Sequence, residues 1–150
     1  MSSADWALGS VINLQSGPPF TVTTQINNTY AFSAGNPRAD VLRNPALPAG
    51  QRTLDRWFDT SAFAQPADYR FANRGMIILH GDGLVNFDFS LMKNFGFGEG
   101  RRVQFRAESF NALNHPTFGI PGRVFGAAGF GVVSSASNAR IVQPGLRLVF

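Results

Sequence analysis

Two segments on either side of residues 96–100 alternate apolar and polar residues one for one, and that regularity constrains the chain more than any other feature. In "GLVNFDFSLMKNF" (residues 83–95), Val85, Phe87, Phe89 and Leu91 fall on one side, and Asn86, Asp88, Ser90 and Met92 on the other. In "RRVQFRAESFNAL" (101–113), Val103, Phe105 and Ala107 oppose Arg102, Gln104, Arg106 and Glu108. A period of two is the signature of a strand with two unlike faces. The intervening "GFGEG" is glycine-rich enough for a tight turn. With the turn centred near Gly98, odd positions of both strands share one face and even positions the other. The product is a hairpin with a greasy side and a charged side. Asp88 is then expected opposite or diagonal to Arg106, within reach of cross-strand pairing.

The same alternation recurs elsewhere. "WALGSVINLQ" sets Trp6, Leu8, Ser10, Ile12 and Leu14 against Ala7, Gly9, Val11, Asn13 and Gln15. After the turn-forming "SGPP", the segment "FTVTT" opposes Phe20 and Val22 to Thr21 and Thr23. "ARIVQPGLRLVF" places Leu146, Leu148 and Phe150 at alternate positions up to the last residue of the sequence. The reading is an all-β, antiparallel meander of about five long strands, near 6–16, 20–25, 84–95, 101–113 and 139–150. Long irregular loops cover 26–82 and 114–138. The first loop carries the turn clusters "AGNPRAD", "RNPALPAG" and "QPADYRF". Its aromatics Trp57, Phe58, Phe63, Tyr69 and Phe71 predict that it packs on itself. Gly, Pro and Asn interrupt every helical pattern, so no helix longer than about a turn is expected.

Two architectures share such strands. In a soluble sheet the apolar face is the core; in a transmembrane barrel it meets lipid, and the polar face lines the lumen. Strand length favours the barrel, because strands of ten residues and more match membrane spans better than ordinary soluble strands. The order of connections (short "SGPP", long, short "GFGEG", long) matches the short periplasmic turns and long outer loops of outer-membrane barrels. Composition agrees: Phe supplies 15 residues, the only Lys is Lys93, and charged residues are 15% of the chain, against about 25% in typical soluble domains. On this reading Val85, Phe87, Phe89, Leu91, Val103 and Phe105 face lipid. Asn86, Asp88, Ser90, Arg102, Gln104, Arg106 and Glu108 face the lumen. A register slip of one residue would turn Arg102 and Arg106 into lipid, at about 2–4 kcal/mol each near the midplane.

The last residues, "QPGLRLVF", resemble the C-terminal β-signal of bacterial outer-membrane proteins, through Gln143, Gly145, Leu148 and Phe150. The resemblance implies recognition by the barrel-assembly machinery, by strand addition to a sheet edge. Pro144 removes one ladder donor within that strand. The ordered series "SGPPFTV", "NPALPAGQRTLDRWFDTSAFAQP", "GDGLVNFDFSLMKNF" and "VQFRAESFNALNHPTFG" is similar to the final portion of TonB-dependent outer-membrane receptors. The nearest group is the Oar-like set of soil acidobacteria with a carboxypeptidase-regulatory-like N-terminal domain. That resemblance implies a barrel of about 22 strands with a plugged lumen, taking up scarce solutes with energy delivered by TonB. Residues 1–150 then form a C-terminal fragment of such a barrel, inactive alone. Its expected partners are outer-membrane lipid, the barrel-assembly machinery, and the remainder of the barrel and plug. TonB would be reached only through the missing N-terminal part. The implied location is the outer membrane as part of the full receptor, and "MSSADWALGSVINLQSG" does not read as a signal peptide.

Other chemistries are weaker. The arginines are scattered from Arg38 to Arg147 with only Arg101 and Arg102 adjacent, so despite a net charge of +4 no phosphate-tracking patch forms and nucleic acid is not an expected partner. Cysteine is absent, which excludes disulfides and thiolate chemistry. His80 with Asp82, and His115 in "NHPTFG", read as loop residues rather than metal ligands. Asp88 and Glu108, flanked by Arg106, read as part of a lumenal charge network rather than a glycosidase pair. "GFGEGRR" lacks the strand–loop–helix context of a phosphate loop. No enzyme activity and no cofactor are expected. The competing reading is a soluble or surface-attached β-sheet module that grips glycan or peptide through its aromatic loops. The two part company over whether the apolar strand face meets lipid or a protein core.

Overall fold

A computed structural model describes residues 6–30, 37–75, 79–98, 100–137 and 139–150. The chain is all-β, with ten strands among the described residues, in sequence order: β1 (Trp6–Gln15), β2 (Pro19–Phe20), β3 (Thr23–Thr24), β4 (Asp40–Val41), β5 (Phe63–Ala64), β6 (Leu79–His80), β7 (Leu84–Gly96), β8 (Arg102–Phe110), β9 (Val124–Phe125) and β10 (Ile141–Val149). The helical turns among the described residues are two three-residue 3₁₀ segments, Ala49–Gln51 and Thr60–Ala62. The chain divides into two compact units.

The first unit holds the described parts of Met1–Gln15, Leu84–Thr117 and Asn138–Phe150. Its long strands form one four-stranded antiparallel sheet in the order β1-β7-β8-β10. Alternation sustained over thirteen residues in β7 leaves no helical face to bury, so the backbone groups find their partners on neighbouring strands. The hairpin between β7 and β8 closes through Phe97 N donating to Arg101 O at 3.0 Å. Gly98 and Gly100 there have φ of +83° and +73°, a region that side-chain-bearing residues enter at a cost. At its other end β8 is stopped by Asn111 and Asn114, both at positive φ, where asparagine is among the better-tolerated residues.

Four of the five anticipated strands therefore exist close to their expected bounds. The fifth, near 20–25, does not join them. It breaks into β2, which pairs antiparallel with β6, and β3, which pairs parallel with β9. "SGPP" thus does not fold β1 back onto its successor; β1 pairs with β7, from Trp6↔Lys93 to Gln15↔Leu84. The sheet's connections are long (16–83), short (97–101) and long (111–140). The short hairpin lies at the same end of the sheet as the C-terminus, since Val149 pairs with Arg102 and Arg102 with Gly96. Loss of the "SGPP" turn from the set leaves the alternation of connection lengths intact.

The second unit comprises the described parts of Ser16–Gly83 and Phe118–Ser137, drawn from the two long connections. It has a buried core of Phe20, Val22, Ala39, Val41, Trp57, Phe58, Ala62, Phe63, Leu79 and Val133. Phe58, Phe63, Phe125 and Phe130 meet edge to face, with centroids 5.2–5.7 Å apart. Each such pair adds about 0.5–1.5 kcal/mol beyond its area burial. The long loop does pack on itself, through Trp57, Phe58 and Phe63. Tyr69 and Phe71 stay exposed, and Tyr69 stacks on Tyr30 at 4.9 Å.

Candidate functional site

The site is the sheet of the first unit and its two faces. Strand register decides which residues share a face, because partners across a ladder point the same way. In β7–β8, Phe89 stands across from Ser109, Leu91 from Ala107 and Phe95 from Val103. In β1–β7, Leu8 pairs with Leu91, Ser10 with Phe89 and Ile12 with Phe87. In β8–β10, Leu146 pairs with Phe105 and Leu148 with Val103. One face therefore collects the even residues of β1 and β10 and the odd residues of β7 and β8. It holds Val85, Phe87, Phe89, Leu91, Val103 and Phe105 together with Leu8, Ile12, Leu14, Leu146 and Leu148.

This apolar face is open. Leu8 is 71% exposed and Leu146 76%, and every described residue of the buried core belongs to the second unit. A soluble sheet would cover such a surface, since exposed apolar patches of this extent mark an interface. Lys93 was not anticipated here, yet odd numbering puts it on this face. Its Nζ lies 4.3 Å from the Trp6 ring centre and 4.8 Å from that of Phe95. Two aromatic faces give the ammonium a favourable cation–π environment at the short-hairpin end of the sheet.

The opposite face holds Asn86, Asp88, Ser90, Arg102, Gln104, Arg106 and Glu108, with Gln143, Gly145 and Arg147 of β10. Gln104 Nε2 donates to Asn94 Oδ1 across the hairpin at 3.1 Å. Arg106 Nε and Glu108 Oε1 form an ion pair along β8 at 3.1 Å. The anticipated Asp88–Arg106 pairing is not made. Arg106 stands across from Met92, two rows from Asp88, because the hairpin is centred one residue later than expected. That shifts partners by two positions and so leaves both faces unchanged. Asp88 Oδ1 instead accepts from the backbone N of Asn111 at 2.9 Å, closing the end of β8.

One row crosses the sheet on this face, with Gly9, Ser90, Glu108 and Gln143 each the register partner of the next, the last three of them polar. The first three lie with Asp88 around a shallow cavity of about 310 Å³. Gln143, Gly145 and Leu148 of the C-terminal motif are all within β10, and the strand runs through Pro144 opposite Ala107 without a break. Phe150 follows the last paired residue and is 98% exposed.

The set-aside histidines have structural surroundings. His80 is in the β2–β6 pair across from Pro19, and Asp82 Oδ2 accepts from Phe118 N at 3.0 Å. His115 N donates to Asn111 Oδ1 at 3.0 Å. Among the described residues no three His, Asp or Glu side chains gather around a common point, and no helix is long and apolar enough to cross a membrane, which says nothing about strands.

Sequence comparison agrees with this geometry. Residues 3–143 match the family described as outer membrane beta barrel domain. Nearly the whole chain is covered, and the protein belongs to that family of outer-membrane barrel proteins. The matched span takes in β1, β7, β8 and the start of β10. No curated protein and no solved structure gave a significant match.

Proposed function

We propose that the chain is the C-terminal barrel portion of a TonB-dependent outer-membrane receptor of the Oar-like group, serving solute uptake without enzymatic activity. The observation that carries the reading is the two-faced sheet: long antiparallel strands, an exposed apolar face and a polar face spanned by charged side chains. The receptor assignment, finer than the family, is supported by the series "NPALPAGQRTLDRWFDTSAFAQP" to "VQFRAESFNALNHPTFG".

Four paired strands fall short of the eight of the smallest barrels, and the sheet ends on two open edges, β1 and β10. Further strands and a plug from the rest of a receptor complete this proposal. Lipid covers the apolar face, the barrel-assembly machinery engages Gln143, Gly145, Leu148 and Phe150, and TonB acts through the N-terminal part of the receptor. The polar row then lines the solute path, and the chain by itself moves nothing.

The test is an immunoblot of the outer-membrane fraction of the source organism, using an antibody against residues 139–150. A band many times heavier than the 16.3 kDa of this chain is expected. A band at the chain's own mass in the soluble fraction would overturn the receptor assignment.

A further inference from the structure

The second unit carries a basic cavity that neither the barrel reading nor the family accounts for. It measures about 270 Å³ and is lined by Val41, Arg43, Asn44, Pro45 and Arg74. Its two arginines come from distant parts of the chain and are placed by different devices. Arg43 is held by Asp59, whose Oδ2 accepts from its Nε at 3.0 Å and its Nη2 at 2.8 Å, and by the Ser61 hydroxyl. Arg74 is brought in by its neighbour Asn73, which docks on β4 as a strand residue would. Asn73 Oδ1 accepts from Val41 N at 2.9 Å, and its Nδ2 donates to Val41 O at 3.1 Å. Asn73 N is fixed to Asp40 Oδ1 at 2.9 Å.

Charge around the cavity does not cancel. Asp59 is shared between Arg43 and Arg56, and Asp40 is taken by Arg70. No carboxylate lines the cavity, and among the described residues Arg74 makes no ion pair. A guanidinium presents five donors in a fixed fork that matches planar and tetrahedral oxyanions. Val41 and Pro45 supply an apolar wall beside the two cations. We propose that this cavity binds a small oxyanion-bearing solute, its carboxylate or phosphate group held by Arg74 and the Arg43 edge left free by Asp59. Every element of it lies between residues 40 and 74, so the site stands whether or not the chain belongs to a TonB-dependent receptor.

The test is calorimetric titration of the full chain in detergent solution with citrate and, separately, inorganic phosphate, at constant ionic strength. Saturable binding of at least one anion is expected, and the stronger of the two identifies the oxyanion type. Arg74→Gln is expected to weaken binding about tenfold or more, the loss of a charge-assisted contact. Arg74→Lys, which keeps the charge but not the fork, is expected to recover part of it. Arg123→Gln removes the same charge from an exposed position outside the cavity and is expected to leave binding unchanged. Absence of saturable binding overturns the proposal, as does equal weakening by Arg74→Gln and Arg123→Gln. Tryptophan fluorescence in a Trp6→Phe background, where the emission comes from Trp57 in the core of the same unit, checks that each variant is folded.

Discussion

Lys93 stands directly across from Trp6 in the β1–β7 ladder, its ammonium nitrogen 4.3 Å from the centre of the indole ring. The sole lysine of the chain thus sits on the apolar face, next to the aromatic residues at the short-hairpin end. A long side chain there can keep its stem in an apolar layer while the charge reaches its edge. From Val85 to Phe95 on β7, ten residues at about 3.3 Å each, tilted by about 40°, span about 25 Å. That is the height of the apolar band of an outer-membrane barrel. In the proposed barrel, Lys93, Trp6 and Phe95 sit together near one border of that band. A double-mutant cycle of Trp6→Ala and Lys93→Ala, read by urea unfolding of the assembled protein, should give a coupling of about 0.5–1 kcal/mol. A coupling of zero would show that the Trp6 ring does not hold the ammonium.

Neighbouring residues on opposite faces should differ sharply in what they tolerate. Phe89→Arg puts a guanidinium on the apolar face and should cost about 2–4 kcal/mol if that face lies near the bilayer midplane. Ser90→Arg adds the same charge to the polar face beside Glu108 and should be nearly neutral. The yield of folded protein in the outer-membrane fraction reads the difference. Equal loss from both variants would contradict the face assignment.

In the second unit, Gly122 is packed too closely for any side chain. A Cβ there would lie 1.9 Å from Gly129 O, while Gly122 N donates to Val132 O and Gly122 O accepts from Gly131 N. The clash is with backbone that is itself hydrogen-bonded, so relief requires the loop to move. Gly122→Ala should destabilise this unit by about 2–3 kcal/mol, seen as a shift in the denaturant midpoint of Trp57 fluorescence in a Trp6→Phe background. Gly50→Ala meets nothing within 4 Å and should leave the midpoint within about 0.5 kcal/mol of the parent.

Asp59 makes the same unit acid-sensitive. The Ser61 hydroxyl and the Arg43 guanidinium lower its pKa to about 2, the Ser61 backbone N–H adding to the effect while partial burial opposes it. The folded-state value lies below that of the unfolded chain. The stabilisation is therefore complete above about pH 4, the ordinary aspartate range, and fades as pH falls towards 2. Denaturant midpoints taken between those limits should fall faster for the parent than for Asp59→Asn. Parallel pH dependence in the two proteins would show that Asp59 is not the linked group.

The two-faced sheet was legible because a period of two is local: each strand states its own faces, whatever its partner. Register and pairing are not local. The glycines at 96, 98 and 100 permit more than one turn centre, and the observed one sets Arg106 across from Met92 rather than Ser90, out of diagonal reach of Asp88, without exchanging any face. The "SGPP" segment does not make the expected tight turn: Pro19 and Phe20 answer to Leu79 and His80 across a long stretch of sequence rather than to β1. Trp57, Phe58 and Phe63 announced a packed loop, whereas the contribution of Phe118, Phe125 and Phe130 to it depends on tertiary contacts that no window of sequence contains. Asn73, which mimics a strand residue against Val41, and Asn28, 1% exposed with its Nδ2 on Ala67 O and Arg70 O, gave no signal at all. A single polar side chain acquires such a role only from the backbone around it.

The central claim is that the face bearing Phe87 and Phe89 meets lipid and the face bearing Asn86, Asp88 and Ser90 meets water. The absence of cysteine from this chain makes it directly measurable with single-cysteine spin labels at positions 85–91, in outer membranes holding the assembled protein. Collision with oxygen and with a water-soluble nickel chelate should alternate with a period of two. Oxygen should dominate at 85, 87, 89 and 91, and the chelate at 86, 88 and 90. Low accessibility to both reagents at the odd positions would mean that protein covers that face, and would contradict the barrel account.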